Sequence, residues 1–338
     1  RIGGDRMPQK SVLYAMGRIK SLEDRLIDTA RLERMLQAPD AMESLRVLTE
    51  AGYGAPATAQ APQDYERLIE HELAETGKLI HEITPDEAVT DLFMMRYDYA
   101  NAKALFKMRL SGNREPEALS ALGRIPAEVL EQAVEGKPSA ELPGHLAAAM
   151  DEAGQYLAGG RDPARLDGIL DRAYISWAAG AAARVRKAPM VRAYFRDQAD
   201  LYNLVALIRL RRMGGQAEQL RGCLAQGGAV KPELISECFP LAPEQVADRL
   251  RGHFDSQVLD EVVQGLITGS TWQLERTTDN RLMELARRGK ADIFPIGPIL
   301  GFLLAREAEA KAIRLIMVGK LNRLPQEKIR ERLREMYV

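Results

Sequence analysis

Few residues in this chain have the types and spacing that enzyme chemistry requires. Gly-Lys occurs four times, but Ser or Thr never follows it, so the phosphate-binding P-loop is missing. His71-Glu72 and His81-Glu82 each begin like a zinc-protease motif, yet neither has a second histidine four residues later. The sequence contains no aspartate-rich metal box of the kind that helical isoprenoid enzymes use. We therefore predict no catalytic, cofactor or metal site, and keep a helical enzyme only as an alternative class.

The residues that stand out are two polar pairs set into apolar segments. Asp200 and Asn203 lie three residues apart in residues 195–214, and Asp98 and Asn101 repeat the arrangement about a hundred residues earlier. Asp and Asn are poor interior helix residues, because their short side chains compete for backbone hydrogen bonds. The match continues beyond the pairs at three further positions: Leu105 and Leu207, Arg109 and Arg211, and Gly112 and Gly214. The pairs, the leucines and the arginines fall at i, i+3, i+7 and i+11, which is one stripe along a helix.

A weaker third copy of the stripe lies in residues 303–320. Glu309 stands near the Asp position there, but Ala312 replaces the Asn, so half of the polar pair is missing. The long internal period therefore predicts three related parts, with strict equivalence of the third part in doubt.

Two interpretations of the polar stripe are open. In the structural one, a partly buried Asp and Asn bond to neighbouring helix ends or to an arginine and specify how the repeats dock. In the other, the stripe is a polar seam that faces a partner protein. Because buried carboxylates need partners, the structural interpretation is preferred. The basic run Arg209, Arg211 and Arg212 is interpreted as a solvated helix face in preference to an anion site.

The elements that must position these residues are long helices separated by proline-marked corners. Amphipathic periodicity predicts helices over 11–26, 64–83, 195–214 and 299–318, among others. No run of alternating apolar and polar residues rich in Val, Ile and Thr indicates a strand. The sequence predicts an all-α fold of three similar helical domains, over residues 1–115, 116–217 and 218–338.

Composition restricts the partners. The chain has 338 residues, 47 Lys+Arg against 48 Asp+Glu, a formal charge of −1 and 6% aromatic residues, so no basic, base-stacking surface for nucleic acid is expected. Two cysteines are too few for a disulfide framework. The simplest interpretation is that the protein works in a reducing compartment. The longest apolar run, 296–305, is ten residues, whereas a membrane span needs about 20.

The motifs resemble those of a known family, the C subunits of bacterial and archaeal V/A-type ATPases, which are similar to the d subunit of the eukaryotic vacuolar ATPase. The resemblance runs over nearly the whole chain. It rests on these residues: Tyr14-Ala15-Met16-Gly17-Arg18-Ile19, Tyr53-Gly54, Tyr97-Asp98-x-x-Asn101, Asp200-x-x-Asn203-Leu204, and Gly297-Pro298 with the closing stretch 303–338.

The resemblance implies a funnel of three helical domains around a pseudo-threefold axis. It implies a non-catalytic rotor component without a cofactor, present in one copy per complex on the cytoplasmic face of the membrane. Its implied partners are the D and F subunits of the central shaft and the membrane rotor ring of proteolipid c or K subunits. A general helical scaffold is the alternative, although such scaffolds usually have repeats of about 34 to 47 residues.

Overall fold

The structure is a computed structural model that describes residues 9–54, 59–113, 119–137, 139–159, 165–186, 188–290 and 296–338, with side chains from residue 13 onward. The described residues form sixteen α-helices and one 3₁₀ turn, and none of them forms a β-strand. The all-α prediction is confirmed. No helix in the part of the chain that the structure describes is long and apolar enough to cross a bilayer.

The chain forms two compact units. The first contains residues 1–90 and 279–338, and the second contains residues 91–278. Both ends of the chain therefore belong to the same unit. The predicted division into three domains at residues 115 and 217, and their threefold arrangement, stay predictions.

The first unit is built around one long helix. Its helices are α1 (Gln9–Glu23), α2 (Thr29–Gln37), α3 (Ala41–Glu50), α4 (Tyr65–Ile83), α15 (Ile296–Leu321) and α16 (Gln326–Arg332). Helix α15 contacts all five of the others and is buried along most of its length. Its side chains pack with those of α2 and α3 in one core that includes Met35, Leu36, Ile313 and Ile316.

The second unit has a central helix of the same kind. It contains the helices α6 (Ala127–Val134), α7 (Gly144–Ala158), α8 (Leu166–Ala182), α9 (Pro189–Arg212), α10 (Ala217–Cys223), α11 (Pro232–Glu237), α12 (Pro243–Leu250) and α13 (Ser256–Thr268). Helix α9 contacts α8, α10, α11 and α13. Leu204, Leu207 and Ile208 of α9 are fully or almost fully buried in the core of this unit. Two further helices have residues in both units: α5 (Glu87–Ser111) and α14 (Trp272–Gly289).

Several helix ends differ from the periodicity-based predictions. Helix α9 begins at Pro189, because proline has no backbone N–H to lose at the first helical position. Helix α15 begins at Ile296 instead of residue 299, since Pro298 is tolerated within the first turn. Helix α1 ends at Glu23 and not at residue 26, which leaves Asp28 to cap α2 by accepting from the Arg31 amide at 2.8 Å.

Candidate functional site

The first polar pair fastens helix α5 to the loop that follows it. One carboxylate oxygen of Asp98, Oδ1, accepts hydrogen bonds from the backbone amides of Arg124 and Ile125, both at 2.9 Å. The side-chain amide of Asn101 donates to the carbonyl of Ser120 at 3.1 Å and accepts from the amide of the same residue at 2.7 Å. The loop runs directly into α6, so the pair fixes the start of that helix against α5.

The second pair makes the same contacts from helix α9. Asp200 accepts from the amides of Ala229 and Val230, both at 2.9 Å. Asn203 donates to the carbonyl of Ala225 at 2.9 Å and accepts from its amide at 2.7 Å. This loop runs into α11. In both cases the asparagine pairs with the donor and the acceptor of one residue, as a peptide group in a sheet would. We call the carboxylate and the backbone amides that it contacts a latch.

A glycine makes each of these two latches possible. A Cβ atom on Gly123 would lie 2.6 Å from Asn101 Nδ2 and 3.0 Å from Asp98 Oδ1. One on Gly228 would lie 2.1 Å from Asp200 Oδ1. The loop backbone therefore approaches the buried carboxylate more closely than any other residue would allow. Sequence reasoning missed these glycines, although each stands two residues before an Ile or Val that leads into a proline-marked helix start.

The third latch joins the two ends of the chain. Glu309 Oε1, in α15, accepts a hydrogen bond from the backbone amide of Ile27, directly before α2. Its other carboxylate oxygen, Oε2, accepts from Arg306 Nη1 at 2.8 Å, and Arg306 Nη2 lies 3.5 Å from Glu72 Oε2. Ala312 has no side-chain amide, so the contact that Asn101 and Asn203 make has no counterpart beside Glu309. A longer acidic side chain and a buried arginine take part instead.

Helices α5, α9 and α15 each carry, eleven residues after the carboxylate, a basic side chain that donates to a backbone carbonyl at or beyond the end of the helix that the latch positions. Arg109 donates to the carbonyl of Val134 at the end of α6, and Arg211 donates to the carbonyl of Leu241 at 2.9 Å. Lys320, eleven residues after Glu309, donates to the carbonyl of Ala38 at the end of α2. Lys320 therefore takes the place of Arg109 and Arg211 in the third copy of the stripe. The sequence analysis did not identify this match. Cationic side chains suit the partial negative charge of a helix C-terminus.

Burial makes these carboxyl groups electrostatically unusual. Asp98 is 0% exposed, and Asp98 Oδ2 has no hydrogen-bond partner among the described residues. Desolvation raises the pKa of Asp98 to about 6, against the two backbone hydrogen bonds that lower it. Burial also raises the pKa of Asp200, and it raises the pKa of Glu309 to about 7 although Arg306 opposes the change.

The predicted site residues lie in three separate latches, each formed by contacts within one unit of the chain. Asp98, Asn101, Asp200, Asn203 and Glu309 are all buried, which favours the structural interpretation of the stripe over a seam exposed to a partner. Of the basic run on α9, Arg209 pairs with Glu275 at 2.7 Å and Arg212 donates to the carbonyl of Gly269 at 3.3 Å.

The described residues offer no obvious metal centre. Nowhere among them do three His, Cys, Asp or Glu side chains stand close enough to hold a metal ion. The arrangement can position helices and resist their displacement.

Comparison with known proteins gives a match over nearly the whole chain. The sequence model of the ATP synthase (C/AC39) subunit family matches residues 15–332. The C subunit of the A-type ATP synthase of Methanocaldococcus jannaschii is 25% identical, over 95% of this chain and 85% of the relative. The C subunit of the V-type sodium ATPase of Enterococcus hirae is 24% identical, over 94% of this chain and 97% of the relative. The C subunit of the V-type ATP synthase of Thermus thermophilus is 26% identical, with the same coverage of 94% and 97%.

Proposed function

Because the chain belongs to the ATP synthase (C/AC39) subunit family, we propose that it is a non-catalytic rotor component that links a central shaft to a membrane ion-carrying ring. The shaft consists of the D and F subunits, and the ring of proteolipid c or K subunits. The observation that carries this proposal is the family match over residues 15–332, together with relatives named as C subunits that align over 94 to 95% of the chain.

The proposed mechanism is mechanical. A component that transmits torque must keep its shape, because a joint that slips would uncouple ATP turnover from ion movement. Asp98 and Asp200 each accept from two backbone amides of a loop, and Glu309 accepts from one, so that three buried carboxylates fix the starts of α6, α11 and α2. Hydrogen bonds to charged groups are stronger than neutral ones, about 1.5 to 3 kcal/mol each, and breaking them leaves buried amides unsatisfied. Such contacts support a role in which helices must not move against one another.

Attachment to the shaft and the ring would depend on large, complementary surfaces. The chain has 47 basic and 48 acidic residues, so its charge is balanced overall and both kinds are abundant. Mixed charges on a surface give specificity and orientation to protein association without a single dominant field. We place the protein on the cytoplasmic face of the membrane, in one copy per complex, as a peripheral component. The three-domain funnel with boundaries near residues 115 and 217 is part of this proposal, and the three copies of the latch support it.

Native mass spectrometry tests the proposal. The chain is mixed with the purified D and F subunits and with the detergent-solubilised ring. We expect one assembly that contains a single copy of the chain together with both shaft and ring. Mixtures of shaft and ring without the chain serve as the control and should not assemble. If the folded chain binds neither partner, the rotor proposal is wrong and a general helical scaffold becomes the better explanation.

A further inference from the structure

A polar cleft lies in the first unit, beside the third latch. It has a volume of about 720 Å³ and is lined by α1, the turn after α3, α4 and α15. This volume is within the range of small-molecule sites, roughly 300 to 1,000 Å³. Ile27 and Arg306, which both contact Glu309, are among its lining residues.

The cleft lies where the third latch differs from the other two. Gly123 and Gly228 stand two residues before an amide that contacts the carboxylate. The corresponding position in the third latch is Arg25, which lines the cleft with an exposed side chain. The glycine of the other two latches is therefore replaced here by a charged residue at a cavity.

Two buried donor groups of the cleft have no partner among the described residues. Tyr53 is 3% exposed and Arg306 is 4% exposed. Neither the Tyr53 hydroxyl nor Arg306 Nε has a hydrogen-bond partner in the described part of the chain. Glu309 and Glu72 occupy the two Nη atoms of Arg306, which leaves Nε unused there. Leaving a buried polar group unsatisfied costs free energy, so both positions favour a ligand that offers hydrogen-bond acceptors.

Two arginines that line the cleft, Arg18 and Arg25, have exposed side chains. Neither Arg18 nor Arg25 has a carboxylate partner within 4.0 Å among the described residues, and Arg18 contacts only the ring and hydroxyl of Tyr14 there. Two of the three acidic residues that line the cleft pair with cationic side chains, and the third accepts from a neutral hydroxyl. Glu72 contacts Arg306 and the amide of Gly54, Glu75 contacts Lys78, and Glu82 accepts from Tyr14.

We propose that this cleft binds a phosphate group, held by the exposed side chains of Arg18 and Arg25 and by the buried hydroxyl of Tyr53. Guanidinium groups suit phosphate because their planar N–H donors match two of its oxygens at once. The site is independent of the rotor role. The phosphate group could belong to a free phosphate compound or to a lipid headgroup, and the two sources share the recognition chemistry.

Isothermal titration of the intact chain with inorganic phosphate, at constant ionic strength, tests the site. We expect saturable binding at one site, weakened about tenfold by Arg25→Gln and about tenfold by Tyr53→Phe, since each removes one hydrogen bond to a charged ligand. Arg46→Gln is the matched control, because Arg46 is an exposed arginine of the same unit that does not line the cleft. It should leave phosphate affinity unchanged.

Tyr53→Phe separates loss of binding from loss of folding. The hydroxyl has no partner to lose among the described residues, so the melting temperature of the variant should be unchanged or higher while phosphate affinity falls. Absence of saturable phosphate binding to the intact chain overturns the proposal. Equal weakening by Arg46→Gln also overturns it, because binding would then follow the charge of the protein and not this cleft.

Sedimentation with phosphatidylglycerol vesicles, and with phosphatidylcholine vesicles as the control, distinguishes the two sources. Binding to the anionic vesicles that is lost in Arg25→Gln and competed by inorganic phosphate assigns the cleft to a lipid headgroup. Phosphate binding without vesicle binding assigns it to a free phosphate compound.

Discussion

The carboxylate of Glu309 accepts a hydrogen bond from the backbone amide of Ile27, which lies 282 residues earlier in the chain. The corresponding bonds of Asp98 and Asp200 reach only 27 and 30 residues forward, to Ile125 and Val230. The same contact is thus made twice locally and once between the two ends of the chain. The third copy of the repeat is completed by residues from the beginning of the sequence.

Asp200→Ala should destabilise the protein without affecting any catalysis. Two backbone amides, those of Ala229 and Val230, would lose their acceptor in a buried position, and we expect the free energy of unfolding to fall by about 2 to 4 kcal/mol. Urea unfolding measures the change, and Asp98→Ala should behave alike. Asp260→Ala, at an exposed position of α13, is the control. Wild-type stability combined with selective loss of shaft binding would instead support the interface interpretation of the stripe.

Gly228→Ala should be more harmful than an ordinary glycine substitution. The added Cβ would lie 2.1 Å from Asp200 Oδ1, so the loop or the carboxylate must move and the second latch must open. We expect a loss of unfolding free energy of about 2 to 4 kcal/mol, as for removal of the carboxylate. Gly222→Ala is the matched control in α10, because a Cβ there meets nothing within 4 Å. It should raise stability by about 0.5 to 1 kcal/mol, since alanine is the better helix former. Equal effects of the two substitutions would contradict the close approach at Gly228.

Arg323→Gly should stabilise the protein. The turns after α5 and α9 contain Gly112 and Gly214 at φ +71° and +68°, but the turn after α15 has Arg323 at φ +54°. For a residue with a Cβ atom this left-handed conformation costs roughly 1 kcal/mol of folding free energy. Replacing it with glycine should therefore raise the free energy of unfolding by about that amount. Thermal unfolding provides the measurement, and Gly214→Ala should show the opposite sign. A lower melting temperature for Arg323→Gly would show that the arginine side chain makes a compensating contact.

The first latch should make stability depend on pH. The pKa of Asp98 rises from 3.8 to about 6 on burial, so the folded protein binds this proton more tightly than the unfolded chain does. The contribution of this proton to stability is present below about pH 4 and is lost as the pH rises through about 6. In Asp98→Asn that part of the pH dependence should disappear, which amounts to about 2 kcal/mol across the range. Unfolding free energies at several pH values between about 4 and 7.5 measure it, with Asp260→Asn as the control for the loss of a surface carboxylate.

The sequence was sufficient to predict the all-α class, and it singled out the carboxylates and asparagines whose contacts the structure then describes. Asp98, Asn101, Asp200 and Asn203 were recognisable because Asp and Asn are conspicuous within long apolar helices and because their spacing repeats. Their hydrogen-bond partners were not predictable. The amides that they contact belong to loops, where the backbone supplies the contact and residue type carries little signal.

Two contacts of the third copy could not be predicted from the sequence. Glu309 was identified as its carboxylate, but Lys320 was not matched to Arg109 and Arg211, because it lies at the end of the compared segment and is a different basic residue. The contact with Ile27 depends on the tertiary structure, which brings the two ends of the chain into one unit. No local pattern in either segment indicates it.

The most direct test of the proposed role is the coupling of ATP hydrolysis to ion transport. The ATPase complex is reconstituted into vesicles in two forms, one that contains the chain and one that lacks it. ATP turnover and ion uptake are measured for both. We expect vesicles without the chain to hydrolyse ATP without ion uptake, and addition of the purified chain to restore uptake in proportion to the amount bound. Ion uptake that is equally well coupled without the chain would contradict its role as the link between shaft and ring.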